Sequence, residues 1–251
     1  MKTRPEQTLQ SYYIDRQDAG RHLAKVLRRF EGDDVVVLAL PRGGIVLAAE
    51  VARELEAPLG LVLVRKIGHP TAPEYAIGAV VEDEKPVYNE DEAVIVDTGW
   101  LKQAEKSARE LIERRRKLYY GKDLAPPDVA GRTVILIDDG IATGLTMEAA
   151  VRAVHSKHPK QIIVAVPVAS VESVAELEDL ADEVIVLDKP ARFRGAVGSH
   201  YMEFEQVNDE EVKTLLWEVN DDLRKSNAAY RQHTVAKKAG RPVSNHGRRN
   251  T

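Results

Sequence analysis

The chain contains no cysteine among its 251 residues. That excludes a disulfide framework, a thiolate nucleophile and a zinc–thiolate centre, and it fits a reducing compartment such as the cytoplasm. No apolar run reaches the roughly 18 residues that a membrane-spanning helix needs. The opening residues Met1-Lys2-Thr3-Arg4-Pro5-Glu6 are not followed by an apolar stretch, so no secretory signal is expected. There is no internal repeat. A strongly basic body, the electrostatic footprint of a dedicated nucleic-acid binder, is also missing. The net charge of −4 hides an asymmetry: residues 223–251 hold eight Lys/Arg and no acid, while the preceding 222 residues carry 28 basic and 40 acidic side chains, a net of −12. The body is acidic and the tail is basic.

What is present is a rhythm of apolar strands and amphipathic helices. Residues 18–30 read as a helix with Ala19, Leu23, Val26, Leu27 and Phe30 on one face. Residues 35–40 (Val-Val-Val-Leu-Ala-Leu) form a continuous apolar run, as expected for a strand covered on both faces. Pro41-Arg42-Gly43-Gly44 breaks it, and a helix over Ile45–Leu55 and a strand over Leu59–Val64 follow. The rhythm returns as strand Thr133–Ile137, helix Leu145–Lys157, strand Gln161–Val168, helix Val171–Leu180 and strand Glu183–Leu187. Alternation of this kind predicts an α/β fold with a central parallel sheet built from right-handed crossovers. Residues 66–130 depart from the pattern, and within 76–97 short runs at 79–81, 86–88 and 93–96 suggest small strands or a flap. Leu101–Tyr119 reads as a charged helix packed by one stripe, residues 189–206 are irregular and aromatic, and a last helix spans about Asn208–Leu223. The rest is a polar tail without periodicity, expected to be disordered.

The chemistry concentrates at Val134-Ile135-Leu136-Ile137-Asp138-Asp139-Gly140-Ile141-Ala142-Thr143-Gly144-Leu145-Thr146. A buried strand ends in two carboxylates, a turn of small residues follows, and a helix begins. Ligands of open α/β sheets bind beyond the carboxyl ends of the strands, where this turn sits. Free amides at the helix start, with the Thr143 and Thr146 hydroxyls, make an anion cradle. Two adjacent carboxylates would repel a phosphate in that cradle, but they suit sugar hydroxyls, with a divalent cation to offset their charge. A helix cap requires one acid, not two, and has no use for the Thr-Gly-x-Thr that follows. A phosphate at one end and a diol at the other describe a ribose 5-phosphate.

This segment resembles the signature of the type I phosphoribosyltransferases, which bind 5-phosphoribosyl-1-pyrophosphate (PRPP). The resemblance implies that Asp138 and Asp139 hold the ribose hydroxyls and, indirectly, Mg2+. It implies that Ile141, Ala142, Thr143, Gly144, Leu145 and Thr146 surround the 5′-phosphate. Arg42, Gly43 and Gly44 then correspond to the pyrophosphate loop. Arg65 and Lys66 correspond to the pair that opens a mobile loop, with Lys66 neutralising the leaving group. His69 and Glu74 lie in that loop as less specific candidates for proton transfer. Phe193 and Tyr201 fall where the family places a hood over the acceptor and offer faces for a flat base. The run Phe193-Arg194-Gly195-Ala196-Val197-Gly198-Ser199-His200-Tyr201, with Asp15-Arg16 and Ala19-Gly20, is similar to a bacterial and archaeal group within the family.

The expected organisation is one phosphoribosyltransferase-like domain over residues 1–222, with a hood from about 1–17 and 189–206, a lid at about 66–97, and a basic tail over 223–251. The expected activity is displacement of pyrophosphate from PRPP by a nitrogen nucleophile with Mg2+. A PRPP-sensing regulator without turnover, and a phosphohydrolase or phosphorylase acting on a ribose phosphate, remain alternatives, because fold does not fix function. Family members that use 6-oxopurines carry an aspartate where Ala142 stands here, so hypoxanthine and guanine are expected to be poor acceptors. No membrane partner and no specific nucleic-acid partner are expected, and a homodimer is left open.

Overall fold

The computed structural model of the chain describes residues 13–239 apart from 83, 90, 91, 93 and 194. Five strands form a parallel sheet in the order β2-β1-β6-β7-β8: β1 Val35–Ala39, β2 Leu59–Leu61, β6 Thr133–Ile137, β7 Gln161–Val168 and β8 Glu183–Asp188. The β-branched runs suit this pleated surface, and β1 and β6 are buried at every position. Because side chains alternate across a strand, Val35, Val37, Ala39, Ile135 and Ile137 enter one core layer and Val36, Leu38, Val134 and Leu136 the other.

Helices cover both faces. The first layer is closed by α1 (Arg16–Leu27), α2 (Gly44–Glu54), α3 (Thr98–Tyr120) and α6 (Asp209–Ala239); the second is closed by α4 (Leu145–His155) and α5 (Val171–Glu178). The chain winds from β1 through α2 to β2 in one direction, and from β6 to β7 and β8 in the other. The order therefore reverses between β1 and β6, whose carboxyl ends lie side by side with Ala39 opposite Ile137. Leu40 continues that alignment by donating its N–H to the Ile137 carbonyl at 2.9 Å. An open α/β sheet places its ligand crevice at such a reversal.

Three sequence expectations change. The apolar run expected as a strand over 59–64 is divided: β2 ends at Leu61, and β3 (Val64–His69) leaves the parallel sheet to pair antiparallel with β4 (Ala72–Val81), which pairs with β5 (Val87–Tyr88). The Leu59–Leu61 stretch follows β1, whereas Val64 follows Val81, so one run serves two sheets. Residues 94–96 form a turn instead of a strand: Val94 and Ile95 are exposed, and Asp97 accepts the Trp100 N–H at 2.8 Å to start α3. The last helix continues past Leu223 to Ala239, because residues 224–239 contain neither proline nor glycine and are rich in Ala, Arg and Lys. Residues 240–251 of the expected tail and residues 1–12 of the expected hood lie outside the described residues, as does the Glu74 side chain.

The first described residues meet the segment that precedes the last helix. Tyr13 and Tyr201 form a bridge, with the Tyr13 N–H donating to the His200 carbonyl at 3.1 Å. The Met202 N–H returns to the Tyr13 carbonyl at 2.8 Å, and the Glu203 N–H to that of Ile14 at 2.8 Å. The site lies next to this junction.

Candidate active site

Two loops leave the sheet side by side. The first, Leu40–Gly43, follows β1, contains a cis peptide between Pro41 and Arg42, and feeds α2. The second, Asp138–Gly144, follows β6 and feeds α4. They touch so closely that glycine is required where they meet: a Cβ on Gly43 would lie 1.8 Å from Asp139 Oδ2, and one on Gly44 would lie 2.7 Å from the Ile137 carbonyl oxygen. The pair Gly43-Gly44 therefore serves the acid loop directly, besides any approach it gives to an anion.

The second loop is fixed from behind by the β7–α5 connection. The Ile141 N–H donates to the Val168 carbonyl at 2.9 Å, and the Ser170 N–H donates to the Ile141 carbonyl at 3.0 Å. Ser170 and Ser173 bring their hydroxyls 3.1 and 3.2 Å from the Ala142 carbonyl oxygen. Gly144 ends the loop at φ +74°, a left-handed conformation that favours glycine, and precedes α4 without a capping side chain. Among the described residues, the buried Thr146 Oγ1 has no hydrogen-bond partner. A buried hydroxyl without a partner costs about 1–3 kcal/mol, so its presence at a helix start suits an anion that supplies the missing acceptor.

The acid pair is electrostatically asymmetric. Asp138 is half-buried, and burial pushes its carboxyl well above the usual range, reinforced by the Asp139 charge beside it. The Asp139 N–H donating to Asp138 Oδ1 at 2.9 Å, Lys66 and Arg16 pull the other way. Burial also raises Asp139, but Arg16 restrains it through an ion pair of 2.7 Å. Asp139 thus carries its charge more readily than Asp138.

Of the residues expected from sequence, Arg42, Gly43, Gly44, Asp138, Asp139 and the 141–146 loop converge on the β1/β6 reversal. Lys66 stands near enough on β3 to act on Asp138, and both it and Arg65 are exposed. Arg42 reaches Asp209 at the start of α6, 3.9 Å away. His69 does not join the acids; its Nδ1 lies 2.9 Å from the Thr71 hydroxyl within the β3–β4 turn. Phe193 is half-buried against His200, ring centroids 4.9 Å apart. Tyr201, expected as an open stacking face, is instead 6% exposed between the Tyr13 and Phe204 rings. Its hydroxyl donates to the Asp139 carbonyl at 2.5 Å, so it supports the acid loop from below.

Sequence reasoning missed Arg16 as a site residue, together with Phe204, Ser170 and Ser173. Arg16 has one local signal: it is the first residue of α1, where the helix dipole disfavours a cation. Ser170 is also the N-cap of α5, and nothing local points to the second role of either serine.

The fold and the paired loops define a class: parallel-sheet α/β proteins with a ligand crevice where the strand order reverses. Comparison with known proteins narrows it. Residues 11–193 match the family model described as the phosphoribosyl transferase domain. Two proteins of Mycobacterium tuberculosis, from strains CDC 1551 and H37Rv, are each 41% identical over 219 residues and are named provisionally as phosphoribosyl transferases. These matches cover 86% of this chain and 49% of each relative, so the chain spans about half the length of the curated relatives it matches. The crystal structure of TT1426 from Thermus thermophilus is 42% identical and superposes with a TM-score of 0.70, covering 82% of this chain and 98% of that one. The chain belongs to the phosphoribosyl transferase family.

Proposed function

We propose that the chain binds PRPP across the β1/β6 reversal and transfers its phosphoribosyl group to a nitrogen nucleophile. The observation that carries this reading is one short loop with an acid pair at its start, leading into a helix whose second residue, Thr146, has a buried hydroxyl without a partner among the described residues. The phosphate would lie over the start of α4, accepting from Thr146 and the loop amides, and the ribose hydroxyls would donate to Asp138 and Asp139. Arg42 in the first loop and Lys66, which acts on Asp138, would be the cations for the pyrophosphate.

In the reaction the bond from C1 to the pyrophosphate oxygen breaks, and its electron pair leaves with pyrophosphate. The nitrogen lone pair forms the new bond to C1, and the nitrogen gives up a proton to water or to the departing pyrophosphate. The chain's contribution is positioning and stabilisation of leaving-group charge, because the bond changes occur between the substrates. A metal centre of three or more His, Cys, Asp or Glu side chains is absent among the described residues. Two half-buried carboxylates beside a diol nevertheless suit an Mg2+ ion whose other ligands are substrate oxygens. Asp138 and Asp139 would hold it indirectly, and it would supply charge neutralisation on pyrophosphate.

Ala142 supports the choice of acceptor class. Its methyl group can neither take nor give a proton, and positioned bases contribute about 10²–10⁴-fold, so hypoxanthine and guanine should be poor acceptors and adenine a modest favourite. Absence of cysteine supports a reducing compartment such as the cytoplasm. Among the described residues no helix is long and apolar enough to cross a membrane. The test is a panel of nucleobases and small amines incubated with PRPP and Mg2+ and scored by pyrophosphate release. Release that depends on an amine supports transfer. PRPP binding without release under any acceptor favours a sensor, and release of orthophosphate from ribose phosphates favours a hydrolase.

A further inference from the structure

We propose that Arg16 is a positioning residue for the ribose half of the site, clamping Asp139 so that its free carboxylate oxygen faces the sugar diol. The inference rests on the reading that the acid pair receives a ribose phosphate. Helix formation does not account for Arg16, since a cation at a helix start is disfavoured. Its guanidinium is engaged on three sides instead. Nε lies 2.7 Å from Asp139 Oδ2, Nη1 donates to the Glu205 carbonyl at 2.5 Å, and the guanidinium carbon sits 3.6 Å from the centre of the Phe204 ring. The Arg16 and Asp139 side chains are only 11% and 15% exposed, so solvent and salt screen the pair weakly.

Phe204 is itself held in place. Its ring centroid lies 5.0 Å from that of Tyr201, and a Cβ on Gly198 would come within 2.7 Å of it. Tyr201 grips the same aspartate from the other end through the Asp139 carbonyl. Side chain and main chain of Asp139 are thus fixed by α1 and by the 201–205 segment together. The charged group beside the acid is Asp138, on which Lys66 of β3 also acts. Arg16 takes Oδ2, and among the described residues no side-chain donor meets Oδ1, which leaves that oxygen for a ligand hydroxyl. A lysine would keep the charge but not the planar seat on Phe204.

The test is calorimetry on the full chain with two probes, ribose 5-phosphate and inorganic pyrophosphate in Mg2+. R16Q should lower ribose 5-phosphate affinity by about tenfold or more, with R16K recovering part of the loss and pyrophosphate affinity unchanged. F204L, which removes the seat and keeps the ion pair, should give a smaller loss with the same selectivity and answers the question if R16Q fails to fold. Wild-type binding of ribose 5-phosphate that R16Q or F204L retains in full, or equal losses for both probes, would overturn the role of Arg16 alone. A wild-type chain that binds neither probe would overturn the ribose-phosphate reading and this proposal together.

Discussion

Asp138 and Asp139 stand side by side, yet the protein treats them differently. Burial raises both carboxyls, and Arg16 restrains only Asp139 directly by an ion pair. A carboxyl whose folded-state pKa is raised contributes stability below its unfolded value of 3.8, and this is lost as pH rises through the folded value. At neutral pH an ionised Asp138 therefore weighs against folding. Asp138→Asn should raise the melting temperature by about 2–4 °C at pH 7.5 and by much less at pH 4, while PRPP affinity falls. Thermal melts at the two pH values check it; a gain of equal size at both would contradict the assignment. Thr146→Val removes a partnerless hydroxyl, so melting should hold or improve while ribose 5-phosphate affinity drops by about tenfold. Calorimetry beside a melt separates the two effects. The acids and threonines were legible in the sequence because the motif is contiguous. Arg16 was not, because its partner lies 123 residues away and its only local sign is a misplaced charge.

At the scale of elements, the site depends on two strand-to-helix loops meeting without a side chain between them. Gly43→Ala would drive a methyl group into the Asp139 carboxylate and push the loops apart. We expect a destabilisation of about 1–3 kcal/mol and a clear loss of PRPP affinity. Denaturant titration and calorimetry measure both, and an unaffected variant would mean that the loops are held apart in solution. Continuous apolar runs foretold the parallel strands, since a strand buried on both faces has no polar side to show. The antiparallel β3–β4–β5 sheet was harder to foresee. Its first strand mixes exposed Arg65 and Lys66 with buried Ile67, and it carries register shifts around Gly68 that break the alternation. The far end of α6 was missed because residues 224–228 are exposed and present no apolar stripe to read.

In the molecule as a whole, the reversal of strand order and the meeting of residues 13–16 with the 200–205 segment lie together, so the acid loop is braced by the sheet and by residues far apart in sequence. The basic end of α6 is not part of that brace. Truncation after Leu223 should leave PRPP affinity within about twofold, and a larger loss would mean that the segment reaches the site. The central claim is that the paired acids at the reversal receive PRPP. Its most direct test is calorimetry of PRPP with Mg2+ on the wild-type chain and on the Asp138→Asn, Asp139→Asn double variant. The account predicts one-site binding by the wild type and at least a tenfold loss in the double variant, with the fold intact by circular dichroism. Undiminished affinity in the double variant, or no binding by the wild type, would contradict it.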